Sequence, residues 1–174
     1  SCATESKRWN GLSPFGKEVV AHMNRLGMLI DVSHISDDAF YDVISLSTKP
    51  VVATHSCCRA LADHPRNMTD DMIRALASRG GVIQINFYPV FLDASFNEEE
   101  MNTAVRPSYK RIADHIDHVV SLVGVDHVGI GSDFDGIDVA PQGLEDISMM
   151  SVLFDELRTR GYTERDLEKI ASEN

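Results

Sequence analysis

Four short apolar segments, each separated from the next by a stretch of helical periodicity, constrain this chain more than any other feature. Residues 28–32, 51–54, 82–87 and 127–131 are rich in β-branched or apolar side chains and read as buried strands. Strands that are apolar on both faces and alternate with helices indicate a parallel sheet covered by helices, hence an α/β fold.

The helical signals are local and specific. Ser13-Pro14 supplies a cap and a first-turn proline ahead of Phe15, Val19, Met23 and Leu26, and Gly27 stops that helix. Ser36-Asp37-Asp38 and Thr69-Asp70-Asp71 open two more with acidic residues where the helix dipole favours them, the second closed by Gly80-Gly81. A longer helix is expected over residues 108–123, ended by Gly124. Two more follow, one through Met150, Leu153, Phe154 and Leu157 and one opening with the Thr163-x-x-Asp166 cap. Residues 88–107 are the least regular stretch.

Two architectures fit this order: an open doubly wound sheet, or part of a (β/α)8 TIM-type barrel. His34 follows the first strand, His55 the second and Asp133 the fourth, and chemistry gathered from several strand ends is barrel logic. An open nucleotide-binding sheet would need a glycine-rich first turn, which Val32-Ser33-His34-Ile35-Ser36 is not. Four strands are too few to close a barrel. The chain is therefore expected to be a single domain, residues 1–174, supplying about the last four βα units, with unpaired strand edges at both ends of the run.

Composition narrows the function classes. Sixteen Lys and Arg against 27 Asp and Glu give a formal net charge of −11, which disfavours nucleic acid and anionic membrane surfaces as partners. No apolar run approaches the roughly 20 residues that span a bilayer, and the first residues lack a signal-peptide pattern. Cys2, Cys57 and Cys58 are odd in number and two are adjacent, so no disulfide framework is expected.

His34 and His55 occupy matching places one βα unit apart, where two imidazoles would meet at a barrel mouth and bind a divalent metal. Asp133, within Gly129-Ile130-Gly131-Ser132-Asp133-Phe134-Asp135-Gly136, brings a carboxylate to the same rim as a metal ligand or proton acceptor, or else serves as a turn residue, for which Asp135 is the better candidate. Arg66 follows the second strand and is suited to gripping a substrate carboxylate, the plainer alternative being an ion pair with Asp63 or Asp70. His115 and His118 sit mid-helix and read as a packing or solvated face, Met149 and Met150 as helix packing, and Cys57 and Cys58 as small buried fillers rather than nucleophiles.

Six blocks in order carry a resemblance: Gly11-Leu12-Ser13-Pro14-Phe15-Gly16, Leu29-Ile30-Asp31-Val32-Ser33-His34, Pro50 through His55-Ser56, Arg66-Asn67-x-x-Asp70-Asp71, Asn86-Phe87-Tyr88, and Gly131-x-Asp133-Phe134-Asp135-Gly136. Through essentially its whole length the chain resembles the membrane dipeptidase (renal dipeptidase) family of zinc metallopeptidases, within the amidohydrolase-like barrels. The resemblance implies that His34 and His55 ligate one zinc of a binuclear pair, that Arg66 holds the terminal carboxylate of a dipeptide, and that Asp133 contacts substrate and handles the proton.

It further implies dipeptide hydrolysis by a metal-bridging hydroxide in the intact protein, and it is compatible with a homodimer. The family's early His-x-Asp pair, bridging glutamate and further substrate-contacting histidine would lie on an N-terminal half that this chain does not include, and the extreme C-terminus is expected to be cut as well. The segment alone is then expected to be inactive and aggregation-prone. Two other readings stay open: another metal-dependent amidohydrolase or lactonase acting on an anionic substrate, and a non-catalytic fragment that binds a partner through its open strand edges.

Overall fold

A computed structural model of the chain describes residues 1–6, 8–96 and 105–174. Its sheet holds three parallel strands in chain order, β1 (Val52–Ser56), β2 (Val82–Ile85) and β3 (Val128–Ile130). The register pairs Val52 with Val82 and Ala53 with Ile83, then Ile83, Gln84 and Ile85 with Val128, Gly129 and Ile130. Each connection runs from the end of one strand through helix to the start of the next, the arrangement that parallel neighbours require.

The expected first strand, residues 28–32, is not a strand here. It is reduced to one parallel bridge between Asp31 and Val52, with Val32 N donating to Val52 O (2.8 Å) and Val52 N donating to Ile30 O (3.0 Å). Its far edge has no partner strand among the described residues, and Met28 and Leu29 stand 55% and 64% exposed. A segment paired on one side only, with its apolar side chains in water, gains too little to extend the ladder.

The helices form where their local chemistry directs. Ser13 Oγ accepts from Gly16 N (3.0 Å) at the start of α1 (Pro14–Leu26), and Gly27 ends it in the left-handed region at φ 71°. In α2 (Asp37–Leu46) the cap residue Ser36 makes no side-chain capping bond, and its buried hydroxyl has no hydrogen-bond partner among the described residues. Thr69 caps α3 (Asp70–Ser78) by accepting from Met72 N (3.2 Å), and Thr163 and Asp166 complete a reciprocal capping box on α7 (Glu164–Glu168).

The irregular stretch contains a short α4 (Pro89–Leu92), while its residues 97–104 lie outside the described residues. The next helix, α5 (Lys110–Val123), starts two positions later than expected because Ser108 is engaged in a parallel bridge with Gln142. Then come β3, α6 (Met150–Thr159) and α7, which runs on as a wider π-type turn over Lys169–Glu173.

The core lies between the sheet and this helical layer. Ala53, Ile83, Ile85 and Val128 are buried against Phe40, Ile73, Leu76, Ile112, Ile116, Leu153 and Leu157. The alternate β2 positions Val82 and Gln84 stay half-exposed, so one face of the sheet is covered and the other partly open, where both had been expected to be apolar and buried. Among the described residues no helix is long and apolar enough to cross a membrane.

His115 of α5 behaves as a packing residue. It is wholly buried, its Nδ1 accepts from Cys58 N (3.0 Å) and its Nε2 donates to Leu92 O (3.0 Å), so the neutral ring ties α5 to the segments that follow β1 and contain α4. Burial pulls its pKa down to about 4 from the ordinary 6.5.

The folded state therefore resists a proton that the unfolded chain accepts, and the contribution of His115 to stability is present above pH 6.5 and lost as pH falls toward 4. Urea denaturation at pH 7 and pH 5 should show a loss of about 2 kcal/mol from this group. His115→Gln should flatten the slope, and an unchanged slope in that variant would contradict the assignment.

Candidate active site

Four side chains from separate stretches of chain line one cavity of about 420 Å³: His34, His55, Arg66 and Asp133. Tyr88, Phe91, Gly136, Ile137 and Asp138 complete its wall. All four residues singled out in the sequence are thus brought together.

His34 follows the Asp31 bridge, and His55 stands in a bulge of β1. Between the pairs Ala53 with Ile83 and Ser56 with Ile85, the two residues Thr54 and His55 oppose Gln84 alone. An extra residue of this kind re-aims the side chain that carries it. The Nε2 atoms of His34 and His55 come to 2.8 Å, with ring centroids 4.9 Å apart and planes tilted by 59°.

Partial burial lowers the pKa of His34, aided by the charge of Arg66 and by the nearby His55 ring, which disfavours a second proton on the pair, and opposed by Asp31 and Asp133. An imidazole so biased toward its neutral form offers a lone pair to a metal ion.

Asp133 reaches the rim through a strained turn. Its φ of 65° makes it the non-glycine residue with left-handed backbone among those described, and Gly136 N donates to its carbonyl at 2.9 Å. Its carboxylate lies where a side chain at 136 would be: a Cβ there would stand 2.2 Å from Asp133 Oδ1. Asp133 is thus at once the turn residue and the carboxylate at the rim, two roles that the sequence had set against each other.

Arg66 is 9% exposed and fixed by backbone, with Nε donating to Ser33 O (2.8 Å) and Nη2 to His55 O (3.2 Å). Its guanidinium carbon stands 5.2 Å from the Phe91 ring centroid. Burial lowers its pKa, opposed chiefly by the charge of Asp133. Neither Asp63 nor Asp70 takes it as a partner in the ion pairs of the described residues, and Asp70 instead meets His118 Nε2 at 2.8 Å. Two of its nitrogens are held by backbone carbonyls while the residue lines the cavity, an arrangement that leaves the guanidinium with donors to offer a carboxylate.

Asn86 stands in one of the six blocks of the resemblance, but nothing in the sequence assigned it a role in the site. It is fully buried at the end of β2, its Nδ2 donates to Asp133 Oδ2 (3.0 Å) and its Oδ1 accepts from Tyr88 N (2.6 Å). The apolar run of residues 82–87 places Asn86 inside the expected third strand; β2 in fact ends at Ile85, which puts Asn86 at the strand end as its neighbours His55 and Asp133 are at theirs. Cys57 and Cys58 are free and buried, and burial pushes both thiols far above their usual range, which suits fillers and not nucleophiles.

The donor set fits part of a zinc shell. Two imidazole nitrogens face each other, but among the described residues no three His, Cys, Asp or Glu side chains group into a complete metal site.

The defining pattern of the membrane dipeptidases (peptidase family M19) matches residues 1–174, every position of the chain. The chain belongs to that family. It is 38% identical over 174 residues to an uncharacterized dipeptidase of Schizosaccharomyces pombe, covering 99% of this chain and 41% of that protein. A dipeptidase of Aspergillus oryzae is 40% identical over 172 residues, covering 99% of this chain and 39% of its own. The chain thus spans about two fifths of the length of these relatives.

Among solved structures, a metallopeptidase from Rhodobacter sphaeroides, liganded with a phosphinate mimic of the dipeptide L-Ala-D-Ala, superimposes with a TM-score of 0.85 at 34% identity, covering 95% of this chain and 45% of that one. In this member of the family Asn86 joins the site to the sheet. Asn86→Ala should leave Tyr88 N and the Asp133 carboxylate without their partner and lower stability by about 1–3 kcal/mol in urea denaturation. A variant as stable as the parent would contradict that placement.

Proposed function

We propose that this chain forms part of a zinc-dependent dipeptidase, and that its parallel strands are consecutive staves of a (β/α)8 barrel. The observation that carries the reading is the meeting of His34, His55, Arg66 and Asp133 in one cavity: His34 after the Asp31 bridge, His55 in β1, Arg66 in the loop after β1, and Asp133 after β3. The barrel reading is supported by the consecutive parallel order of the strands, which the parallel Asp31–Val52 bridge extends by one more segment. The dipeptide reading is supported by the phosphinate dipeptide mimic held by the Rhodobacter sphaeroides relative.

His34 and His55 would hold one zinc of a pair. When bound, zinc supplies an activated water and polarises the scissile carbonyl. The rest falls to the chain's own groups. Arg66 binds the free carboxylate of the dipeptide in a charge-assisted fork, and its anchorage to Ser33 O and His55 O fixes the distance from that end to the scissile bond. Asp133, held by Asn86, takes the proton from the attacking water and delivers it to the leaving amine.

The cavity wall carries Arg66 together with the carboxylates Asp133 and Asp138. A neighbouring recess of about 850 Å³ shares Asp133, Ile137 and Asp138 and adds Asp135, Glu145 and Asp146. A zwitterion with a carboxylate at one end and an ammonium at the other suits that charge arrangement.

In the protein that carries this chain, Arg66→Ala should reduce kcat/KM for dipeptides by about 10- to 100-fold and spare dipeptide amides, which lack the carboxylate. Equal losses on both substrates, or none, would remove Arg66 from this role. Lactone turnover exceeding peptide turnover in the unsubstituted protein would replace the peptidase reading altogether.

A further inference from the structure

We propose that Asp31, acting through the Thr54 hydroxyl, is a positioning residue that fixes His55 as its Nδ1–H tautomer and so presents the Nε2 lone pair toward His34. The metal-affinity consequence rests on the zinc reading above, whereas the tautomer does not.

Asp31 and Thr54 lie on adjacent segments joined by the bridge to β1, one ahead of each imidazole. Asp31 Oδ1 accepts from Ser33 N (3.0 Å), Ser33 Oγ (2.7 Å) and Thr54 N (3.2 Å), and Oδ2 accepts from Thr54 Oγ (2.5 Å). One carboxylate thereby staples the backbone that leads to His34 to the backbone that leads to His55. His55 N donates to Ser33 Oγ (3.1 Å), which closes the same network. Partial burial raises the pKa of Asp31, but the hydrogen bonds from Thr54 and Ser33 outweigh it and hold the group below the usual carboxylate range.

An ionised carboxylate accepts and never donates. The single hydrogen of the Thr54 hydroxyl is therefore committed to Asp31. Thr54 Oγ also lies 2.7 Å from His55 Nδ1, and with its own hydrogen spent it can only accept there. His55 must carry its proton on Nδ1, and in the neutral ring that leaves Nε2 unprotonated, 2.8 Å from His34 Nε2. Ser33 Oγ does not compete, since it stands 3.4 Å from Thr54 Oγ with its hydrogen on Asp31. The chain carboxylate, hydroxyl, imidazole is an outer-shell arrangement of the kind that orients ligands and raises their basicity.

Asp31→Asn gives a sharp test because it reverses the chain. Three donors hold the Oδ1 place for the amide oxygen, which turns the amide nitrogen toward Thr54 Oγ. Thr54 then accepts from the amide and donates to His55 Nδ1, and the ring proton moves to Nε2.

The protein that carries this chain, metal-free, labelled with 15N in histidine and held at pH 8, is expected to show His55 protonated at Nδ1 in long-range 1H–15N spectra. Asp31→Asn should shift that signal to Nε2–H, Thr54→Val should lose the preference, and Thr54→Ser should keep it. Zinc affinity, measured by competition with a chromophoric chelator, should fall about 10- to 100-fold in Asp31→Asn and Thr54→Val and not in Thr54→Ser. An Nδ1–H ring in the Asp31→Asn variant, or an Nε2–H ring in the unsubstituted protein, would overturn the proposal. A tautomer that shifts as described in a protein that binds no zinc would uphold the positioning role and remove the zinc reading instead.

Discussion

Backbone stands where any side chain at position 131 would have to go. A Cβ on Gly131 would lie 2.1 Å from Thr54 O and 2.7 Å from Gln84 O, so only glycine lets the end of β3 close onto the ends of β1 and β2. Gly131 N donates to Ile85 O at 3.0 Å, and Phe87 N to Ser132 O at 3.2 Å, which carries the pairing past the strands to the rim. Asp133 follows Gly131 by two residues and His55 follows Thr54 by one. The close approach is what draws a carboxylate and an imidazole from distant parts of the chain into one cavity.

Polar groups then lock what the backbone has brought together. Arg66 spends part of its fork on the carbonyls of Ser33 and His55, Asn86 ties Asp133 to the sheet, and the Asp31 carboxylate links the two histidine segments. These groups are placed in advance by hydrogen bonds to main chain and to one another, which costs little reorganisation when a charged ligand arrives. The largest buried side chains, among them Phe40, Phe87, Leu76 and Ile116, lie in the core that supports this rim.

Much of this was legible in the sequence because it is written in local chemistry. Capping residues placed the starts of α1, α2, α3 and α7, apolar runs located β1, β2 and β3, and polar residues at strand ends marked His34, His55 and Asp133. What escaped depends on partners in space. Residues 28–32 have strand composition, yet a strand needs neighbours, and with pairing on one side only they form a single bridge. The β1 bulge that turns His55 toward His34 is a mismatch of register between two strands, which neither strand's sequence states. Asn86 looks like an ordinary amide until Asp133 stands 3.0 Å away, and the left-handed backbone of Asp133 is visible only once the turn to Gly136 is built.

On the proposed reading, the approach of His34 to His55 lets two imidazoles share one metal ion. Anomalous diffraction at the zinc edge, from crystals of the zinc-loaded protein that carries this chain, tests it directly. A zinc peak bonded to Nε2 of both His34 and His55 is the predicted result. Zinc bound elsewhere, with these two rings still facing one another and no metal between them, would remove His34 and His55 as its ligands.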